Sequence, residues 1–95
     1  LLINFDEDGN TGWRKIGEYQ NKLAAKLCIF SEGTWGSGTL TVQIAADPDG
    51  DTEVEEGTNV TADGTAIELV GYSPNVYFKV TLGSSTDPNL NVYAV

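Results

Sequence analysis

The sequence predicts an all-β protein: an antiparallel β-sandwich or small barrel of six to seven short strands, preceded by an irregular N-terminal arm. Three observations predict this fold. Apolar and polar residues alternate with a period of two along much of the chain, turn signals rich in Gly, Pro and Asp separate these segments, and no long segment has helical periodicity. We therefore divide the chain into an extended or irregular arm at 1–22 and a β-sandwich domain at 23–95.

The chain has the size and composition of one domain. Its 95 residues are 40% aliphatic, aromatic, alanine or cysteine, which suffices for a single modest core and exceeds what a disordered chain contains. No apolar run approaches the roughly 20 residues that cross a bilayer. The sequence begins at Leu1 rather than Met, and we expect a processed, trimmed or excised product.

The N-terminal region shows neither the helical nor the strand period. Its first residues, LLINF, are consistent with a short strand or with an arm that pairs elsewhere. The following stretch, DEDGNTGWRKIGEYQNK, is interpreted as an irregular arm whose anchors for a partner are Trp13, Ile16 and Tyr19.

Six segments alternate as half-buried strands do, at 23–30, 39–46, 54–61, 65–70, 76–83 and 90–95. The eight-residue loop SEGTWGSG predicts a hairpin of the first two. The dipeptide Asp63-Gly64, which favours a type I′ turn, predicts a second hairpin of 54–61 with 65–70. The predicted core residues are Leu27, Ile29, Leu40, Val42, Ile44, Ile67, Leu69, Val76, Phe78, Val80, Leu82, Leu90 and Val92.

The charge is strongly negative and unevenly distributed. Residues 1–48 carry six acids and four bases, whereas residues 49–95 carry eight acids and one base, which gives the net charge of −9. Such a surface repels phosphate backbones and anionic membranes, so we expect no nucleic-acid partner and no membrane.

Few residues suit catalysis or cofactor binding. The chain has no His and a single Cys, Cys28, so the usual catalytic triads and zinc, haem and iron–sulfur sites are not expected. We predict that the protein is not an enzyme and needs no cofactor or metal.

Two acidic patterns leave calcium as an alternative. One is Asp6, Asp8 and Asn10, and the other is Asp47, Asp49 and Asp51 within the Asp-Pro-Asp-Gly turn. In the first pattern, position twelve of a calcium loop is Gly17 rather than Glu. Asp in its usual turn positions explains both patterns, and we favour that interpretation.

Aromatic residues are the main candidates for contact with a partner. Trp35 stands among glycines and Trp13 lies in the irregular arm, whereas Tyr77 and Tyr93 fall on the predicted outward faces of strands. Exposed aromatic rings anchor interfaces or stack on sugars. For Trp35 two alternatives stay open: a lid that covers one end of the sandwich, or an anchor in a partner.

Several stretches of the chain resemble small virion proteins of tailed bacteriophages. They are GTLTVQIAADPDG at 38–50, TADGT at 61–65, NVYFKVTLG at 75–83 and LNVYAV at 90–95. In that class an aromatic residue often follows the first Asp-Gly turn, and here Thr52 and Val54 stand there instead. The resemblance implies a compact β-sandwich that acts as a capsid decoration (cement) protein or as a related domain of a tail or fibre.

The leading hypothesis is therefore a structural virion protein on the outer capsid surface that stabilises the junctions between capsid subunits. Its expected partners are the major capsid protein and neighbouring copies of itself, as a dimer or trimer. One alternative is a carbohydrate-binding β-sandwich of a tail fibre or glycosidase, with Trp13, Trp35 and Tyr77 stacking on sugars. Another is an adhesion module stabilised by calcium.

Overall fold

The chain folds into a β-sandwich, as predicted. The computed structural model describes residues 1–20, 23 and 25–95. In this part of the chain nine strands and one 3-10 turn form two antiparallel sheets. The strands are β1 (Ile3–Phe5), β2 (Gly9–Asn10), β3 (Arg14–Lys15), β4 (Lys26–Thr34), β5 (Thr39–Ala45), β6 (Val54–Val60), β7 (Ile67–Val70), β8 (Tyr77–Gly83) and β9 (Asn89–Ala94), with the 3-10 turn at Ile16–Glu18.

Each sheet is built around a strand from the C-terminal part of the chain. Sheet A has the order β1-β9-β4-β7, and sheet B has the order β2-β8-β5-β6 with β3 also paired to β8. β5 and β8 pair without a register shift, from Thr39 opposite Gly83 to Ala45 opposite Tyr77. The inward residues of β8 are all buried, and Phe78 among them is fully buried.

The core lies between the two sheets and contains the residues that alternation predicts. Of the thirteen predicted core residues all but Val76 are buried, and Val76 is half-buried against the core. The core also holds Phe5, Ile16 and Val60. The period of two therefore predicts the inward faces of the longer strands correctly.

The predicted hairpin of 23–30 with 39–46 is wrong. β4 pairs with β9 and β7 in sheet A, whereas β5 pairs with β8 and β6 in sheet B. β4 extends to Thr34, so only residues 35–38 remain to cross between the sheets. Both strands alternate in the same way because each buries one face in the shared core, and alternation alone does not reveal which sheet a strand joins.

The predicted hairpin at Asp63-Gly64 is also wrong. β6 belongs to sheet B and β7 to sheet A, so residues 61–66 form a second crossing between the sheets. The carboxylate of Asp63 accepts hydrogen bonds from Trp35 in the first crossing and from Gly33 near the end of β4. Tertiary contacts therefore determine this loop, rather than the turn preference of its dipeptide.

The N-terminal region, for which an extended or irregular arm with anchors for a partner was predicted, packs into both sheets. β1 pairs with β9, while β2 and β3 pair with β8. Ile16 is fully buried, and its N–H donates to the carbonyl of Val76 at 2.9 Å. The ring of Tyr19 meets Phe78 edge-on, with 5.6 Å between centroids. Residues 21, 22 and 24, which fall in the predicted arm and first strand, lie outside the described residues.

The burial of Ile16 makes the N-terminal region part of the stability of the fold. We expect Ile16→Ala to lower the free energy of unfolding by about 2–5 kcal/mol, because truncation leaves a cavity in the core. The measurement is urea unfolding followed by circular dichroism. In Leu1→Ala, which truncates a side chain that is 75% exposed, the expected change is below about 0.5 kcal/mol. Equal small effects of both variants would contradict the packing of this region.

Candidate functional site

Trp35 covers one end of the sandwich. Its indole Nε1 donates a hydrogen bond to Asp63 Oδ1 at 2.7 Å, and the N–H of Gly33 donates to the same oxygen at 3.3 Å. The side chain is half-buried and packs against the core. Trp35 therefore joins the β4–β5 crossing to the β6–β7 crossing, which is the arrangement of a lid.

Trp13 lies over the Asp-Pro-Asp-Gly turn. Its indole packs so closely on Gly50, which has φ +77°, that a Cβ at this position would lie 2.7 Å from Nε1. Lys79 Nζ lies 4.7 Å from the Trp13 ring centroid and 2.8 Å from Glu53 Oε1. Tyr77, on the same outer face of sheet B, has Lys15 Nζ at 5.9 Å from its ring centroid. Both aromatic rings therefore contact cations of the chain itself.

The predicted contact residues do not form one surface. Trp35 lies in the connection before β5, and Trp13 packs against Gly50 in the connection after it. A seven-residue strand separates these connections by roughly 20 Å. Ile16 and Tyr19 pack in or against the core, and Tyr93 faces outward from the other sheet. Trp13, Trp35 and Tyr77 therefore do not form a flat platform.

The aspartates of the β5–β6 connection are organised as a turn. Asp47 Oδ1 accepts hydrogen bonds from the N–H groups of Asp49 and Asp51 at 3.0 and 3.1 Å, and Oδ2 accepts one from the Thr52 hydroxyl at 3.0 Å. These bonds, above all the one from the Asp51 N–H, hold the pKa of Asp47 below its usual range. The carboxylates of Asp47, Asp49 and Asp51 lie within 4.8 Å of one another. The donors that surround Asp47 are those of a tight turn.

The acidic pattern near the N-terminus, to which Asp8 and Asn10 belong, also contributes turn contacts. Asp8 Oδ1 accepts hydrogen bonds from the hydroxyl of Ser85 and from its N–H, the latter at 3.0 Å. The Ser85 hydroxyl is the main reason that the pKa of Asp8 is lowered. Asn10 Oδ1 accepts from the N–H of Gly12 at 2.8 Å. Asp8 and Asn10 therefore hold local backbone in place.

The outward surface of sheet A, which we call the A face, lies on the opposite side of the sandwich from Trp13 and Tyr77. Its side chains come from all four strands of the sheet and from Val95, whose backbone pairs with that of Cys28. They are Asn4, Lys26, Cys28, Phe30, Glu32, Thr34, Glu68, Val70, Asn89, Asn91, Tyr93 and Val95.

One half of the A face, which we call the apolar half, carries its exposed apolar side chains around one ion pair. Phe30 lies opposite Tyr93, Cys28 lies opposite Val95, and Val70 stands on the neighbouring strand β7. Lys26 and Glu68, which form an ion pair, lie opposite Val70 and Cys28. Six large hydrophobic side chains are exposed in the described part of the chain, and three of them are here: Phe30 at 45%, Val70 at 58% and Val95 at 64%. Exposed apolar side chains on neighbouring strands are typical of a contact surface.

The other half of the A face is a polar network. Asn4 Nδ2 donates to Asn89 Oδ1 and to Asn91 Oδ1, each at 2.9 Å. The Tyr93 hydroxyl donates to Glu32 Oε1 at 3.1 Å, and this hydrogen bond raises the pKa of Tyr93. Side chains that are already held by their neighbours lose little freedom on binding, so this half is suited to form the rim of an interface.

The A face carries three charged side chains among its twelve residues. They are Lys26, Glu32 and Glu68, and Lys26 Nζ lies 3.0 Å from Glu68 Oε1. One base and two acids give this face a net charge of −1, which per residue is close to the average of a chain with −9 over 95 residues.

Cavities on the described part of the sandwich are shallow or at the lower limit for small-molecule sites. One of about 160 Å³ lies along the β1–β2 connection, one of about 190 Å³ lies beside Val54, and one of about 330 Å³ lies between Gly57 and Glu68. Sites for small molecules usually occupy roughly 300–1,000 Å³ and converge polar groups on their ligand. The A face is the stronger candidate for a functional surface.

No family model, curated protein or solved structure matches the chain. In the part of the chain that the structure describes, no helix is both long enough and apolar enough to cross a membrane.

Sequence reasoning selected Tyr93 but missed the rest of the apolar half. The sequence does indicate that Cys28 and Phe30 face outward, because alternation in 23–30 places them on the face opposite Leu27 and Ile29. The pairing of β4 with β9 was needed to bring Phe30 and Tyr93 together.

The contacts of Asp47 predict an acid-dependent stability. Because its pKa in the folded chain lies below 3.8, its ionised carboxylate contributes stability that is complete above pH 3.8 and lost as the pH falls through the folded value. We expect Asp47→Asn to weaken the dependence of unfolding free energy on pH below about pH 4. Urea unfolding at pH 6 and pH 3 measures this. The control Asp6→Asn also removes one surface carboxylate, and identical pH profiles for both variants would contradict the role of Asp47.

Proposed function

We propose that this chain is a structural contact protein of the capsid decoration type, which binds the outer surface of a virus shell through its A face. The observation that carries the proposal is the group of exposed apolar side chains on this face, which contains Phe30, Val70 and Val95. It acts by burying surface at junctions between shell subunits, and two or three copies surround a symmetry axis.

The chemistry of the A face supports attachment to a protein surface. The centres of protein interfaces are depleted in charge and enriched in aromatic residues, while their rims are polar. Phe30 and Tyr93 are cross-strand neighbours at the apolar half, and the Asn4 network borders them. Charge within this face is balanced locally by the pair of Lys26 and Glu68. These features match an interface centre and its rim.

The charge of the remaining surface supports a location outside a particle. A net charge of −9 repels packaged nucleic acid and disfavours the interior of a nucleocapsid. It also keeps copies apart in solution. An outer-surface protein is consistent with both effects.

Carbohydrate binding is the alternative, and one observation favours it. The amide network of Asn4, Asn89 and Asn91 beside Tyr93 places hydrogen-bonding groups next to an aromatic ring, a combination that suits sugars. The residues that the sequence suggested for stacking are dispersed instead, with Trp13 and Trp35 at opposite ends of β5. The protein contact is therefore the better-supported proposal.

Phe30 provides the test of the proposed attachment. We expect Phe30→Asp to weaken binding of the purified chain to shells of the virus that encodes it by roughly thirtyfold, because loss of a central aromatic anchor typically costs about 2 kcal/mol. Co-sedimentation with shells at increasing protein concentration measures the affinity. Circular dichroism confirms that the variant folds, since Phe30 is 45% exposed.

The matched control is Val54→Asp, which makes the same kind of change at an apolar side chain that is 54% exposed on the other sheet. Binding of this variant within about twofold of wild type is expected. Equal binding of Phe30→Asp and wild type, or binding of neither to the shells, would contradict the proposal. Binding to a polysaccharide that Phe30→Asp abolishes would favour the alternative.

A further inference from the structure

A second surface, separate from the A face, lies where β6 begins. Val54 is paired with Ile44, so its side chain points to the same inward side of sheet B as that core residue. Ile44 is 9% exposed, whereas Val54 is 54% exposed. An inward-facing Val on an edge strand is thus left uncovered by the opposite sheet.

The uncovered Val54 borders an apolar cleft. This cleft, which we call the Val54 cleft, has a volume of about 190 Å³ and is lined by Ile44, Ala45, Ala46, Thr52, Val54, Tyr72 and Val76. Its volume is below that of most small-molecule sites and suits one apolar side chain. Tyr72 is held at the cleft because its hydroxyl donates to the carboxylate of Glu56, a bond that raises the pKa of Tyr72.

Acidic groups lie on both faces of β6 next to the Val54 cleft. Glu55 follows Val54 and pairs with Gln43, so its side chain lies on the outer face of sheet B, whereas Glu56 lies on the inward side. The three carboxylates of the Asp47 turn precede them in the β5–β6 connection. Lys79 forms an ion pair with Glu53 at 2.8 Å, whereas Glu55 is exposed and has no ion pair with any described residue. A strand added along β6 would therefore meet an apolar cleft on one face and the carboxylate of Glu55 on the other.

The strand that borders the cleft is also a sheet edge. β6 ends the order of sheet B and pairs with β5 on one side. Such an edge presents backbone N–H and C=O groups that an added strand can use. A second copy of this chain would bring its own acids against Glu53 and Glu55, so like charges oppose self-pairing here. A cationic segment meets no such repulsion.

We propose that the Val54 cleft binds an extended basic segment of a partner protein, which lies along the first half of β6. One apolar side chain of the segment enters the cleft beside Val54, and neighbouring Lys or Arg side chains lie against Glu53 and Glu55. Because side chains of an added strand alternate between the two faces, apolar and basic residues alternate in the segment. The proposal is independent of shell attachment through the A face.

The test uses a synthetic six-residue peptide that alternates Lys and Leu, with both ends capped. Titration into the ¹⁵N-labelled chain at low salt is expected to shift the amide signals of residues 44–46, 52–56 and 72–76. The same peptide with Ser in place of Leu is expected to bind at least about tenfold more weakly, because it lacks the apolar anchor. The peptide with Glu in place of Lys is expected to cause no shifts.

Matched charge variants separate the cleft from general attraction to an acidic protein. Glu55→Lys is expected to weaken binding by about tenfold. The control Glu7→Lys makes the same change in the exposed β1–β2 connection, and we expect an effect below about twofold. Val54→Ser, at a half-exposed side chain, tests the apolar contact and is expected to weaken the Lys–Leu peptide but not the Lys–Ser peptide.

Three outcomes would overturn the proposal: no shifts at millimolar peptide, shifts confined to the A face, or equal weakening by Glu55→Lys and Glu7→Lys. None of these outcomes would contradict the proposed attachment to a shell through the A face, because that proposal is tested separately with Phe30→Asp.

Discussion

The fold depends on the meeting of the two ends of the chain. β9 lies between β1 and β4 in sheet A, and β8 lies between β5 and the pair β2 and β3 in sheet B. Each of the two C-terminal strands is therefore paired on one side by residues from the first fifteen of the chain. Without that pairing both strands would become sheet edges, and Phe5 and Ile16 would leave the core. The sandwich closes by contacts between distant residues, which are slow to form but cooperative once made.

Alternation in the sequence predicted the longer strands and nearly all of their buried residues, because a period of two is a local property of any half-buried strand. It did not predict pairing. The two crossings, which contain Trp35 and Asp63, look like hairpin turns in the sequence because Gly and Asp serve both purposes. Alternation did not predict the burial of Ile16 either, because a two-residue strand followed by a 3-10 turn is too short to show a period. The A face required the β4–β9 pairing, which no local pattern contains.

The distribution of charge connects the fold to its proposed role. Many of the acids of the described residues lie in loops and on the edge of sheet B, and Asp47 orders a turn there. The A face combines exposed apolar side chains with polar groups that are bonded to one another. The two proposals therefore assign different chemistry to two surfaces: the A face would bind a protein surface, and the apolar Val54 cleft beside the acids of β6 would bind a basic segment.

Hydrogen–deuterium exchange of the chain, free and bound to the shell, tests the central claim most directly. If the A face is the site of attachment, exchange slows on binding in peptides that cover β4 and β9, at Lys26–Thr34 and Asn89–Ala94, while the outer face of sheet B around Trp13 and Tyr77 is unchanged. Slower exchange confined to the Trp13 surface or to the crossing at 35–38 would contradict attachment through sheet A.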